Sequence, residues 1–256
     1  MGSLDWYGFL AWALFGWTLV WFALSVFIAR NDIADIAWGL GFIFLAWLSF
    51  FIGGRPNHAL PVNVVVTIWG LRLAGHIYSR NRGKPEDFRY AQWRKQWRHF
   101  YTRSFLQVFF LQNAFLYIIA WPVIFVNLAE SVPFHWAHFV GVVFWLVGFL
   151  FETVGDFQLT QFKQNPANRG RIITIGLWRY TRHPNYFGEA VQWWGVYLMA
   201  TAVPGGWITF ASPLLITYLL RYVSGVPMLE RKYENHPEFQ LYKVKTSAFI
   251  PMPPKV

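Results

Sequence analysis

The sequence contains no cysteine, which excludes disulfides, thiolate-held zinc, iron–sulfur clusters and a cysteine nucleophile. It is also poor in charge. Only 13% of its 256 residues are Asp, Glu, Lys or Arg, against 55% hydrophobic and 21% aromatic, a balance that lies outside the range of soluble domains. Acidic residues are the scarcer sign, 12 against 22 basic. The seven histidines have no HExxH or comparable spacing, so no metal site is expected. No internal repeat, low-complexity tract or linker is visible, and a single domain over residues 1–256 is expected.

What the sequence does have is apolar length. A run of roughly 18 or more apolar residues crosses about 30 Å of hydrocarbon. Seven candidates meet that test, near Trp6–Ile28, Ile33–Phe51, Pro61–Tyr78, Phe105–Val126, His138–Gln158, Asn185–Ala202 and Trp207–Val223. The first lacks the basic leader and small-residue cleavage site of a secretory signal, so a retained anchor is expected. Lys and Arg gather after the third, fifth and seventh runs, at Arg80–Arg103, Lys163–Arg182 and Arg221–Lys255, with Arg30 after the first. The surroundings of Glu130 and Gly205 have neither, and only Arg55 breaks the pattern. The positive-inside rule then predicts an all-α, multi-pass protein of about seven spans, N-terminus out and C-terminus in.

Ionisable residues inside such spans are costly unless paired, which makes each a candidate for a site. They are Asp32 and Asp35, Arg72, Glu152 and Asp156, Glu189, and Arg221, and on this topology all fall in the cytoplasmic half. Glu152 and Asp156 share a helix face, as do Asn185 and Glu189. The pattern predicts an inner pocket for a polar, anionic ligand, with the outer half left apolar. The plainer expectations are that Asp32 and Asp156 cap helices or sit in the membrane interface and that Arg221 snorkels to headgroups. Arg94, Lys95 and Arg98, among Trp93, Trp97 and Phe100, read as a lipid-surface belt. Arg80, Asn81, Arg82 and Lys84 sit at a helix end where they can meet phosphates. A membrane-flush loop with no binding module gives no reason to expect nucleic acid.

The run Gly176-Leu177-Trp178-Arg179-Tyr180-Thr181-Arg182-His183-Pro184-Asn185-Tyr186-Phe187-Gly188-Glu189, followed by Trp193, Trp194 and Gly195, resembles the C-terminal domain of the steroid 5-alpha-reductase family. It is most similar to that family's bacterial membrane-protein branch, whose pattern also includes Ser224-Gly225-Val226-Pro227, Glu230 and the ending Thr246-Ser247-Ala248-Phe249-Ile250-Pro251. The family-like core is about 140–256, and a weaker likeness reaches back to Asp35 and Tyr78. The resemblance implies a multi-pass reductase that passes hydride from NADPH to a carbon–carbon double bond conjugated to a ketone in a steroid- or isoprenoid-like lipid. For the bacterial branch, the inner membrane is implied.

Carried over by position, the family's cofactor contacts fall on Asp156, Lys163, Arg171, Asn185 and Glu189, and further back on Arg72, Tyr78, Asn81 and Lys84. Lys163 stands where better-known members have Arg. No GxGxxG follows a strand, so the cofactor is held without a Rossmann unit. At the catalytic end the family's Gln-Glu pair reduces to Asp35 preceded by Ala34. Its Tyr falls near Trp69 and Gly70, leaving Tyr78 or His76, so the resemblance assigns Asp35 and Tyr78 to proton and carbonyl. The rivals are an S-adenosylmethionine-dependent methyltransferase of the isoprenylcysteine or phospholipid type, which shares an RHPxYxG run, and a non-enzymatic lipid-binding protein. The methyltransferases' adjacent Glu-Glu pair is absent, since Arg231 follows Glu230. Transport is disfavoured because no relay of charges reaches the outer half.

Overall fold

A computed structural model describes residues 3–255. It is helical throughout, and the extended pairing among the described residues is an isolated parallel bridge of Thr181 with Ser247. The chain divides into two compact units, Met1–His135 with Ala202–Thr209, and Trp136–Thr201 with Phe210–Val256.

The first unit holds α1 (Ser3–Phe27), α2 (Ile33–Ile52), α3 (Leu60–Asn81), α4 (Phe88–Gln96) and α5 (Phe100–Arg103). A π-helical segment, Ser104–Phe110, carries α5 into α6 (Leu111–Ile119), and α7 (Trp121–Leu128) follows at a 50° bend. Pro122 accounts for the bend, because it has no N–H to offer the carbonyl of Ile118 and its ring crowds that carbonyl. Glycine lets α2 and α3 touch through their backbones: a Cβ on Gly70 would lie 2.6 Å from the Gly39 carbonyl oxygen.

Where α7 meets α2 and α3 the core is polar. Asn127 donates to the Ala46 carbonyl and Ser49 Oγ, both at 2.8 Å, and Asn63 donates to Asn127 Oδ1 at 2.6 Å. Asn63, Asn127 and Ser49 are fully buried. Such a group is tolerated only because each member finds a partner.

The second unit holds α8 (Trp136–Gln164), α9 (Pro184–Ala200), α10 (Ala211–Tyr218), α11 (Val226–Lys232) and α12 (Pro237–Lys245). Gly141, Gly148 and Gly155 recur at heptad spacing on α8, as do Gly188 and Gly195 on α9. A Cβ on Gly148 would stand 2.4 Å from the Gly188 carbonyl oxygen, and one on Gly195 would stand 2.6 Å from that of Gly141. Small residues on one seam let helices pack backbone to backbone, the main source of helix association where lipid removes the hydrophobic drive.

Among the described residues four helices are long and apolar enough to cross a membrane, Asp5–Phe27, Ile33–Ile52, Asn57–Asn81 and Trp136–Gln164, and the bent pair Phe100–Ile119 with Trp121–Leu128 makes up to five. The chain is therefore an integral membrane protein, and its helical class and expected spans one, two, three and five stand in the structure. The run expected as the sixth is α9, of 17 residues. The seventh is composite, a 3-10 segment at Gly206–Phe210, then α10, then a π segment at Leu219–Val223.

The α8–α9 seam predicts an asymmetry among glycine substitutions. Gly148→Ala is expected to cost about 1–3 kcal/mol by overpacking, read as a lowered Tm in detergent. Gly75→Ala, on the exposed face of α3 with nothing within 4 Å of the added carbon, is expected to leave Tm unchanged or raise it.

Candidate functional site

The close approach of α8 and α9 brings two rows of polar side chains together. Glu152 and Asp156 are one turn apart on the buried face of α8, and Asn185, Glu189 and Gln192 share one face of α9 by their i, i+4, i+7 spacing. Asn185 donates to Asp156 Oδ1 at 3.1 Å, and Gln192 donates to Glu152 Oε2 at 2.5 Å. Glu152, Asp156, Glu189 and Gln192 are all buried. Each amide spends its N–H on a carboxylate, which leaves Asn185 Oδ1 and Gln192 Oε1 buried without a hydrogen-bond donor. The seam therefore holds carboxylates and bare amide oxygens, an acceptor-rich strip suited to a ligand that brings N–H or O–H donors.

Glu152, Asp156, Asn185 and Glu189 thus lie along the packed faces of these two helices, with Asn185 bonded to Asp156. Asp156 does not cap α8, since it lies two turns before the helix ends at Gln164. Gln192 carries no charge and stands outside the motif, so the sequence alone does not single it out, yet its spacing from Asn185 marks the same face. Lys163 is exposed in the last turn of α8, and Arg171 is exposed in the loop beyond, near Arg169.

The first half of the motif has a different role. Arg182 is 7% exposed and bonds Glu230 through Nε at 2.8 Å and Nη2 at 2.7 Å. It also donates to the carbonyls of Lys243 and Thr246, while its own N–H reaches the Ser247 carbonyl at 2.8 Å. Thr181 Oγ1 donates to the Phe249 carbonyl, and Tyr242 donates to that of Trp178. Arg182 therefore ties the chain entering α9 to the C-terminal tail. His183 stacks on Tyr186 and approaches Glu230 Oε1 at 3.2 Å. Burial first lowers the His183 pKa, and Glu230 only partly restores it, so the ring is held below its ordinary 6.5. At Glu230 burial raises the pKa, but hydrogen bonds from His183 and Arg182 outweigh it and hold the carboxylate below its ordinary 4.5.

In the first unit Asp32 and Asp35 are bound to the α3–α4 loop. Asp32 does not cap α2 with its side chain. Its carboxylate instead accepts from Arg30 Nη2 at 2.6 Å, from Asn81 Nδ2 at 3.3 Å and from the Asp87 N–H at 3.2 Å. Asp35 accepts from Tyr90 Oη at 2.6 Å and from Arg89 Nη2 at 3.0 Å. Burial drives the Tyr90 pKa well above 10.0, and the Asp35 charge pushes the same way, so the phenol stays a donor. Arg94 is not merely part of a lipid belt, because it bonds Glu86 at 2.9 Å and lies over the Phe100 ring.

The structure spreads the remaining first-unit candidates differently. Tyr78, in the last turn of α3, is 54% exposed, and it is Tyr90 that reaches Asp35. Asn81 has its amide committed to Asp32 and its oxygen to Arg80. Arg72 is partly buried in mid-α3, and Lys84 is exposed. Arg221 lies over the Tyr222 ring, 4.9 Å from its centroid. The tie between Asp35 and Tyr90 spans 55 positions, and no local spacing in the sequence signals it.

Known proteins agree with the resemblance read from the motif. Over 110 residues the chain is 30% identical to 3-oxo-5-alpha-steroid 4-dehydrogenase 1 of Rattus norvegicus, covering 43% of this chain and 42% of that protein. Over 102 residues it is 29% identical to the Homo sapiens protein of the same name, covering 40% and 38%. The match therefore spans about two fifths of those relatives. An uncharacterized protein of Schizosaccharomyces pombe is 25% identical over 254 residues, covering 86% of this chain and 70% of that one. No solved structure is a significant match. This is a membrane protein related in sequence to steroid 5-alpha-reductases. Its residues 21–246 match the family described as Protein of unknown function (DUF1295), and the chain belongs to that family.

The knot of Arg182, His183 and Glu230 makes stability depend on pH. Both folded pKa values are depressed, so the unfolded chain binds more protons and stability falls as pH falls. Tm in detergent is expected to drop first as pH passes below about 6.5, where the unfolded His183 protonates, and again below about 4.5. His183→Gln should remove the first step. Glu230→Gln, which leaves Arg182 buried without its counter-charge, should cost about 3 kcal/mol or more at neutral pH.

Proposed function

We propose that the protein is a membrane-embedded reductase that uses NADPH to reduce a carbon–carbon double bond conjugated to a ketone in an apolar, steroid- or isoprenoid-like lipid. The observation that carries this reading is the acceptor strip on α8 and α9, with its buried, donorless oxygens on Asn185 and Gln192. A nicotinamide carboxamide brings the N–H donors that such oxygens lack, and Asp156 and Glu189 flank them. Lys163, exposed in the last turn of α8, and Arg171, exposed in the loop beyond, are cations of the kind a pyrophosphate and a 2′-phosphate require. The donor set thus fits the dinucleotide, which when bound supplies the hydride.

For the proton that must accompany hydride, we assign Tyr78, a half-exposed phenol at the end of α3 that solvent can re-protonate. We place Asp35 with it, held as a carboxylate by Arg89 and by the single Tyr90 hydrogen committed to it. We further propose seven spans with the N-terminus out and the C-terminus in, α9 and the composite 206–223 run serving as the last two. The whole chain then acts as one reductase domain of a bacterial inner membrane. The steroid dehydrogenases among its relatives support the substrate class.

The test is cofactor binding by the purified protein in detergent, with NADPH, NADH and S-adenosylmethionine titrated separately. NADPH is expected to bind, and Arg171→Ala and Glu189→Gln to weaken it about 10-fold or more, the worth of one charge-assisted hydrogen bond. Binding of S-adenosylmethionine alone would overturn the reading in favour of a methyltransferase. Binding of none of the three would favour a lipid-binding protein.

A further inference from the structure

A second site lies in the first unit, far from its charged turn. A cavity of about 850 Å³ opens between the start of α1, the end of α6, α7 and the loops at 129–132 and 203–208. Tyr7, at its wall, stands roughly 30 Å along α1 from the Arg30–Asp32 turn, at about 1.5 Å per residue. The cavity is thus remote from Asp35 and Tyr90, and it belongs to no residue of the proposed reductase site.

Its chemistry is lopsided. The walls are apolar and aromatic, with Trp121, Phe125, Leu128, Val203, Pro204 and Ile208 among them. The tyrosines are spoken for, since Tyr117 Oη donates to the Tyr7 carbonyl at 2.7 Å. Glu130 and Ser131 are different: both are exposed, both line the cavity, and neither has a side-chain hydrogen bond or ion pair among the described residues. No Lys or Arg occurs between Arg103 and Lys163, and no ion pair to Glu130 is formed among the described residues. The volume is near the top of the range for a single small-molecule ligand. That suits one chain and a small head, not a two-chain phospholipid swallowed whole.

We propose that this cavity binds a single-chain amphipath with a primary-ammonium head, the chain lying among Trp121, Phe125 and Ile208 and the ammonium donating to the Glu130 carboxylate and the Ser131 hydroxyl. The inference is independent of the reductase reading, and either stands if the other fails.

The test uses the full chain in phosphatidylcholine nanodiscs and three photoreactive probes with the same twelve-carbon chain, ending in an amine, an alcohol or a carboxylate. Mass spectrometry locates the labelled peptides. Labelling at the cavity is expected to rank amine above alcohol above carboxylate, with the amine about fivefold over the alcohol, the upper worth of an exposed ion pair. Glu130→Gln should lower amine labelling to the alcohol's level and leave the alcohol unchanged. Ala129→Trp, confirmed folded by its melting curve, should reduce all three. Equal labelling by the three heads, or labelling that Ala129→Trp does not change, would overturn the proposal and leave ordinary annular lipid. Competition with single-chain lysophosphatidylethanolamine added to the nanodiscs then separates the sources of the ammonium. Loss of the amine label by competition assigns a lipid headgroup, and an undiminished label assigns a free amine, the ammonium site standing in both cases.

Discussion

The contact on which the second unit depends is that of one helix backbone with another, at Gly148 against Gly188 and Gly141 against Gly195. Within a bilayer, apolar side chains gain little by leaving lipid for each other, so helices associate through close packing and through the polar groups that packing aligns. Removing the side chains at the seam does both here. It draws α8 and α9 together, and it brings Asp156 and Glu152 within hydrogen-bond reach of Asn185 and Gln192. Carboxylates on an isolated helix at that depth would be very costly. Glycine spacing and polar strip are thus one feature of the sequence, not two.

The motif RHPNYFGE divides at Pro184. Before it, Arg182 and His183 face the C-terminal tail and Glu230, and hold the entry to α9 in place. After it, Asn185 and Glu189 lie along the seam with α8. Pro184 sits where its missing N–H has no helical partner to lose, so the helix starts at a fixed point with respect to the tail. The position of the acceptor strip along α8 therefore depends on a knot of charges beyond its end. A motif read as a single signature thus holds one half tied to the C-terminal tail and one half packed along α8.

Much of this was legible in the sequence, and the illegible part has a common cause. Apolar runs marked the long helices, and i, i+4 spacing put Glu152 with Asp156 and Asn185 with Glu189 on shared faces, because both signals are local. The pairings of Asp35 with Tyr90, Arg182 with Glu230 and Arg94 with Glu86 join separate segments, and which partner a charge chooses depends on how helices and loops fold back. Asp32 illustrates the limit. Its place before α2 fits a cap, yet Arg30, Asn81 and the Asp87 N–H compete for the same carboxylate and a guanidinium outbids a helix N–H. The run at 206–223 reads as one span, but its helical geometry changes twice within it.

Two pairs of amide contacts show how structure and site can be told apart. In the first unit Asn63 and Asn127 are as deeply buried as any residue, and they bond each other, Ser49 and backbone carbonyls, so that α7 is locked against α2 and α3. In the second unit Asn185 and Gln192 use their N–H groups on carboxylates and leave their oxygens bare. A closed network of this kind is complete as folded. An open one carries a desolvation cost of about 1–3 kcal/mol for each unmet group, and that cost is recovered when a donor arrives. The same residue type thus closes its network in one place and leaves it open in the other. The difference lies in the carboxylates of α8, which take the amide N–H groups and leave the amide oxygens buried without a donor.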